Sequence, residues 1–223
     1  MKIVISLSGS FVSDNLENSK LKEYVEVLKE LDDKTEKLVV VCGAGSRKDY
    51  IEATKGFEVS EGKRDMIGIQ ATRLHANLLN ALLGERAYPD VPESIEEVEK
   101  YSDSGEIITM GGTEPGHSTD AVAALAGEII GADLFINATK VDGIYDKDPK
   151  AHEDAEKLEK ISYRDLIELI SEKENDAGCY SLIDHTAAKI IERADLKTVV
   201  INGSDPQNIL KASKEESSGT IIE

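Results

Sequence analysis

The sequence predicts an α/β protein, a mainly parallel sheet with helices on both faces. Three observations lead there. Apolar, β-branched-rich runs alternate along the chain with stretches of helical periodicity, the order that builds strand–helix–strand units. Glycine-rich turns follow three of those runs, at 8–10, 43–45 and 111–116. With 223 residues, 40% of them apolar, the chain is long enough for a proper core, and neither a repeat nor a linker divides it.

The elements follow in order. Lys2–Leu7 is a β-branched strand entering the turn Ser8-Gly9-Ser10. Residues 19–31 place Leu21, Tyr24, Val25 and Leu28 at helical spacing. Lys37–Cys42 is a second apolar strand, ending in Gly43-Ala44-Gly45-Ser46. From Arg47 the pattern is helical, continuing through 66–83 with Ile67, Ala71, Leu74, Leu78 and Leu82 on one side. Pro89 and Pro92 break it before a short acidic helix, Ile95–Tyr101. Residues 107–110 form a strand, 111–120 a turn, and 121 onward a helix. The strand 133–138 precedes a turn-rich stretch, 139–149. A strand at 157–161, helices at 163–171 and 183–194, a strand at 198–201 and a helix at 206–212 complete the pattern. Thr220–Ile222 closes the sheet as an edge strand. Any second lobe begins near residue 140.

The net charge of −18 argues against nucleic acid as a partner, because phosphate backbones are bound by clustered Lys and Arg. Acidic residues such as Glu96, Glu97 and Glu99 read as a solvated surface. No apolar run approaches the roughly 20 residues that span a bilayer, and Met1 leads directly into a strand, so a cytoplasmic protein is expected. Cys42 reads as a buried strand-end thiol. Its separation from Cys179 fits no zinc spacing, and no disulfide is expected. His75 reads as structural, and His152 and His185 give no metal spacing with it.

Residues 111–120, Gly-Gly-Thr-Glu-Pro-Gly-His-Ser-Thr-Asp, carry the most chemistry. Strand, glycine turn and helix N-terminus in that order place backbone N–H groups where a phosphate can sit. The hydroxyls and His117 add side-chain donors. The Gly43-Ala44-Gly45 turn lacks the third glycine of a dinucleotide fingerprint, since position 48 is Lys48, and no P-loop pattern occurs. Three such turns gather at the carboxyl edge of a parallel sheet, where open α/β folds bind ligands. They suit a substrate with several phosphates or two phosphorylated substrates, as in a kinase. Phosphoryl transfer then asks for cations and a carboxylate to organise them. Asp120 and Asp142 are the carboxylate candidates, and Lys189 is a candidate cation.

Taken together, five blocks resemble the archaeal-type uridylate kinases of the amino acid kinase superfamily. They are Leu7-Ser8-Gly9-Ser10, Val41-Cys42-Gly43-Ala44-Gly45, the run from Asp65 to Arg73, the 111–120 motif, and Thr139-Lys140-Val141-Asp142-Gly143-Ile144-Tyr145. The resemblance runs the length of the chain. It implies a three-layer α/β/α sandwich forming one domain, 1–223, with UMP bound by about 1–138 and ATP by about 139–223. It implies transfer of the γ-phosphoryl group of ATP to UMP with Mg²⁺ bridging the phosphates, and hexamers built from dimers. By the same resemblance Ala44, Asp65, Thr113, Glu114, Pro115, Gly116, His117, Ser118 and Thr119 bind UMP, Asp65 through the ribose hydroxyls. Gly9, Ser10, Gly45, Thr139, Lys140, Tyr145 and Asp148 bind ATP, joined by either Arg47 or Lys48. Asp120 organises the catalytic cations, and Lys189 falls near a lysine that stabilises the transferring group. Five departures stand out. Ser8 and Ala44 replace glycines, the chain is one residue short after Gly45, Lys140 replaces an asparagine, and Ser6 occupies the place of an N-terminal lysine. The alternatives are a kinase of the same superfamily acting on a small carboxylate or isopentenyl phosphate, or a non-catalytic nucleotide-binding module on this fold.

Overall fold

The computed structural model describes residues 1–16, 20–45, 47–149, 151–173, 183–214 and 216–223, the side chains of Arg47, Lys48, Glu172 and Lys173 excepted. Cys179 lies outside the described residues. The strands are β1 (Lys2–Leu7), β2 (Lys37–Cys42), β3 (Ile108–Met110), β4 (Leu134–Thr139), β5 (Ile144–Tyr145), β6 (Lys157–Leu158), β7 (Lys160–Ile161), β8 (Thr198–Asn202) and β9 (Thr220–Ile222). The helices are α1 (Gly9–Ser13), α2 (Lys20–Asp32), α3 (Arg47–Glu52), α4 (Glu61–Leu83), α5 (Ile95–Tyr101), α6 (Thr119–Ile130), α7 (Tyr163–Lys173), α8 (His185–Arg193) and α9 (Gln207–Ser213).

Seven strands form one sheet in the order β3-β2-β1-β4-β8-β9-β7, and β5 and β6 pair as a separate antiparallel hairpin. The sheet is parallel except where β9 runs against β8. Side chains alternate along β1, which decides the layers. Ile3, Ile5 and Leu7 pack with Tyr24, Leu28, Leu79 and Ile209 of α2, α4 and α9. Val4 faces the other way, with Val122, Ala126, Leu166 and Ile191 of α6, α7 and α8. That is a three-layer α/β/α sandwich. Its sheet crosses residue 138 without a break, since β4 pairs with β1 on one side and β8 on the other.

Three expectations change. Thr220–Ile222 is a strand but lies inside the sheet, between β8 and β7, so β7 is the edge. The single strand at 157–161 is two short ones in different sheets, with Glu159 between them offering its carbonyl to Ile221 N at 2.9 Å. On α4 the face that enters the core is Ile69, Thr72, Ala76, Leu79 and Leu83, whereas Ile67, Leu74 and Leu82 are exposed. The helix carries apolar residues on two sides, so spacing finds the helix without telling its inner face.

Cys42 ends β2 fully buried, and burial pushes its thiol up to about 12, keeping it protonated and unreactive. Among the described residues no helix is long and apolar enough to cross a membrane.

Candidate active site

The carboxyl ends of β1, β2, β3 and β4 meet at two adjoining clefts. The wider, about 430 Å³, is lined by Ser6, Ser8, Gly9, Ser10, Gly43, Ala44, Gly45, Thr119, Asp120, Asn137, Ala138, Thr139 and Lys140. The smaller, about 160 Å³, is lined by Ala44, Asp65, Gly68, Ile69, Thr72, Gly112, Glu114, His117, Ser118 and Thr119. Ala44 and Thr119 belong to both, so the clefts open onto each other there.

Strand alternation builds the floor of the wide cleft. Ser6 lies on the same face of β1 as Val4, toward α6, and its register partner on β4 is Asn137. Ser6 Oγ donates to Asp120 Oδ1 at 2.6 Å, and Asn137 hydrogen-bonds the same carboxylate. Burial pushes the Asp120 carboxyl up to about 6, against the pull of the Ser6 bond; the charge of Asp184 pushes it further up and Asn137 opposes. Among the described residues lining this cleft, Asp120 is the one acid and Lys140 the one base. Lys140 is well exposed and pairs with Asp14 at 3.4 Å.

The small cleft is held by α4. Thr72 Oγ1 accepts from Gly112 N at 2.7 Å and donates to the Ile69 carbonyl at 2.6 Å. Arg73 Nε donates to the Gly112 carbonyl at 3.1 Å and Nη2 to that of Thr113 at 3.4 Å, while Nη1 pairs with Glu93 at 2.5 Å. Asp65 Oδ2 accepts from Gly116 N at 3.0 Å. His75 is buried, and its Nδ1 lies 2.8 Å from the Gly43 carbonyl, which fastens α4 to the second glycine turn.

Of the residues expected to bind UMP, the structure brings Ala44, Asp65, Glu114, His117, Ser118 and Thr119 to the small cleft. Gly116 reaches it through its bond to Asp65, while Thr113 is braced by Arg73, and Pro115 lies in the same loop outside the lining. Of the residues expected at ATP, Gly9, Ser10, Gly45, Thr139 and Lys140 line the wide cleft. Tyr145 and Asp148 lie beyond it, with Tyr145 Oη donating to Asp142 at 2.8 Å. Asp142 also meets Lys157 at 3.1 Å, outside both clefts. The side chains of Arg47 and Lys48 lie outside the described residues. Lys189 is not brought to either cleft. It lies more than a turn into α8, exposed, and pairs with Glu192 at 3.1 Å. Asp184, at the start of that helix, approaches the site instead.

Asn137 and Asp184 escape a reading by motif. Each is an ordinary residue of a strand or cap, and only the pairing of distant elements gives it a part. The Asp65–Arg73 block was the available signal for Thr72 and Arg73.

The amino acid kinase family matches residues 1–202. The uridylate kinase of Methanobrevibacter smithii is 45% identical over 222 residues, covering 100% of this chain and 99% of its own. The crystal structure of uridylate kinase from Archaeoglobus fulgidus superposes with a TM-score of 0.89 at 43% identity, covering all of both chains. UMP kinase from Ureaplasma parvum, at 20% identity and a TM-score of 0.82, shares the fold. The chain belongs to the amino acid kinase family, among its archaeal-type uridylate kinases.

Proposed function

We infer that this protein transfers the γ-phosphoryl group of ATP to UMP, giving UDP and ADP. The observation that carries this reading is the junction of the two clefts at Ala44 and Thr119. A UMP phosphate in the small cleft faces a triphosphate in the wide one, as an in-line displacement requires. An oxygen of the UMP phosphate bonds to the γ-phosphorus as the bond to the ADP oxygen breaks. Asp65 accepts from the ribose hydroxyls, and the 113–119 loop with the first turn of α6 holds the UMP phosphate. Gly9, Ser10 and Gly45 approach the ATP phosphates. Thr139, Tyr145 and Asp148 hold its base and ribose, and Lys140 lines the wide cleft.

Among the described residues lining the wide cleft Lys140 is the one base, and alone it cannot balance a triphosphate. Mg²⁺, carried in on the phosphates, supplies that neutralisation. The donor set fits such a guest, with one carboxylate and hydroxyl and amide oxygens. Among the described residues no cluster of three acidic, His or Cys side chains forms a metal cage. Asp120 is the group that orients the cations around the transferring phosphoryl. The exposed row Ile67, Leu74 and Leu82 on α4 is the surface we assign to contact between subunits of an oligomer, as in the expected hexamer. We place the activity in the cytoplasm, where both nucleotides occur.

A coupled assay comparing UMP, CMP and AMP as acceptors tests the function. UMP is expected to be strongly preferred, and equal rates on all three would overturn the assignment. Asp65→Ala is expected to raise the KM for UMP about tenfold or more, the cost of losing charge-assisted hydrogen bonds, with the KM for ATP little changed. The reverse pattern would mean that the two clefts are assigned the wrong way round.

A further inference from the structure

The N-caps of α6 and α8 are joined side chain to side chain. Ser118 Oγ accepts from Ala121 N at 3.0 Å, closing the first turn of α6, and donates its own proton to Asp184 Oδ2. The other oxygen, Asp184 Oδ1, accepts from Thr186 N at 2.9 Å and Ala187 N at 3.1 Å, closing the first turn of α8. One unbroken chain of hydrogen bonds therefore runs between helix starts 66 residues apart in sequence. Behind it the helices pack closely through small buried residues such as Ala124, Ala187 and Ala188.

The α6 end of that chain sits where the two clefts meet. Ser118 lines the small cleft, Thr119 both, and Asp120 the wide one, all within three consecutive positions. Asp184 lines neither cleft. We propose that Asp184 is a positioning residue for phosphoryl transfer, holding the UMP cradle and Asp120 in register with the ATP-binding half through Ser118. The proposal rests on the kinase reading above.

A local cap alone does not account for an aspartate here. Serine or asparagine caps a helix about as well, and neither sets a second negative charge near Asp120, where the Asp184 charge is felt. What a carboxylate adds is a second oxygen, free to accept a charge-assisted bond from across the helix pair. The first turn of α6 lines the clefts and α8 packs against that helix from behind, so a small rotation of one against the other moves the acceptor phosphate relative to the donor. Displacements near 1 Å at such a junction cost about a hundredfold in rate.

Steady-state kinetics on Asp184→Asn, Ser118→Ala, Ser118→Thr and the double variant Ser118→Ala/Asp184→Asn test this, with melting by circular dichroism as the folding control. Asp184→Asn keeps a cap oxygen for Thr186 and Ala187 but loses the charged acceptor for Ser118. It is expected to lower kcat about ten- to a hundredfold while both KM values stay within about threefold. The double variant should be no slower than the slower single one, because both remove the same link. Ser118→Thr, which retains the hydroxyl, should recover most of the rate. Additive losses, or a rise in KM at unchanged kcat, would overturn the proposal. If Asp184→Asn melts early, Asp184→Ser, a good cap without the second oxygen, gives the same comparison. A wild type that turns over UMP beside an unimpaired Asp184→Asn sinks the positioning role alone. A wild type inert on UMP sinks the kinase reading, and this proposal with it.

Discussion

Asp120→Asn is expected to lower kcat by about two to three orders of magnitude, the scale on which a preorganised charge contact acts in a dry site. The same change should make the protein more stable above pH 6. Asn fills the same volume and can keep bonds to Ser6 and Asn137, so the loss reports the missing charge. The stability effect follows from where the proton sits. In the unfolded chain the carboxyl has its ordinary pKa of 3.8, and in the fold burial holds it near 6. Between those values the folded state keeps a proton that the unfolded chain has released. Stability therefore falls as pH rises from about 4 to 6, by roughly 3 kcal/mol in all. The cost is then constant above that range and absent below it. Asp120→Asn has nothing to ionise and should show no such decline. In a chain of this size roughly 3 kcal/mol corresponds to a melting shift of about 6–12 °C. Nucleotide-free wild type and variant melted at pH 4.5 and 7.5 provide the check. Equal pH slopes in the two proteins would show that another group titrates. In the wild type, kcat/KM should also drop as pH falls below about 6, because the protonated carboxyl no longer orders cations.

How much of this was legible in the sequence depends on the range of the interaction. The strands at Lys2–Leu7 and Lys37–Cys42 come straight from β-branched runs bounded by glycine turns, and the structure has them at those residues. The helix at Ile95–Tyr101 follows from the proline break before it, and the structure adds a cap at Ser94, whose hydroxyl accepts from Glu97 N at 3.2 Å. Strand order is different. The place of Thr220–Ile222 between β8 and β7 is set by which edges pair after the chain has turned back, and no local pattern records it. The site divides the same way. Glycine turns and the carboxylates Asp65 and Asp120 announce themselves by residue type. Asn137 matters because register places it beside Ser6, and Asp184 because α8 packs on α6. In the sequence Lys189 reads as a cation among small residues, and an exposed lysine paired with Glu192 on the helix surface has the same local pattern.

Gly9→Ala is expected to cost at least about a hundredfold in kcat/KM for ATP, with KM for ATP rising more than KM for UMP. Gly9 opens α1 without a left-handed backbone, so alanine fits its conformation. The obstacle is proximity. A Cβ there would stand 2.1 Å from the Gly43 carbonyl oxygen and 2.1 Å from Gly45 N, both backbone atoms of the second phosphate turn. Neither can swing aside as a side chain would, so the turns must separate by more than an ångström. That displacement moves the Gly9 and Gly45 groups meant for the ATP phosphates, and it pushes Ala44, which both clefts share. Overpacking of this kind also costs about 1–3 kcal/mol of stability, or several degrees in melting temperature. Gly56→Ala is the control. Gly56 has φ of 82° and nothing within 4 Å of an added Cβ, so it should lose about 1 kcal/mol and keep its kinetics. The neighbouring departures from the family pattern fit the same account. Ser8 turns its hydroxyl to Ser10 Oγ at 3.0 Å, and Ala44 presents its methyl to the clefts, so each finds room where Gly9 has none. A Gly9→Ala protein with wild-type kinetics for both nucleotides would mean that the two turns part without disturbing the ATP phosphates, and that the wide cleft is not where they bind.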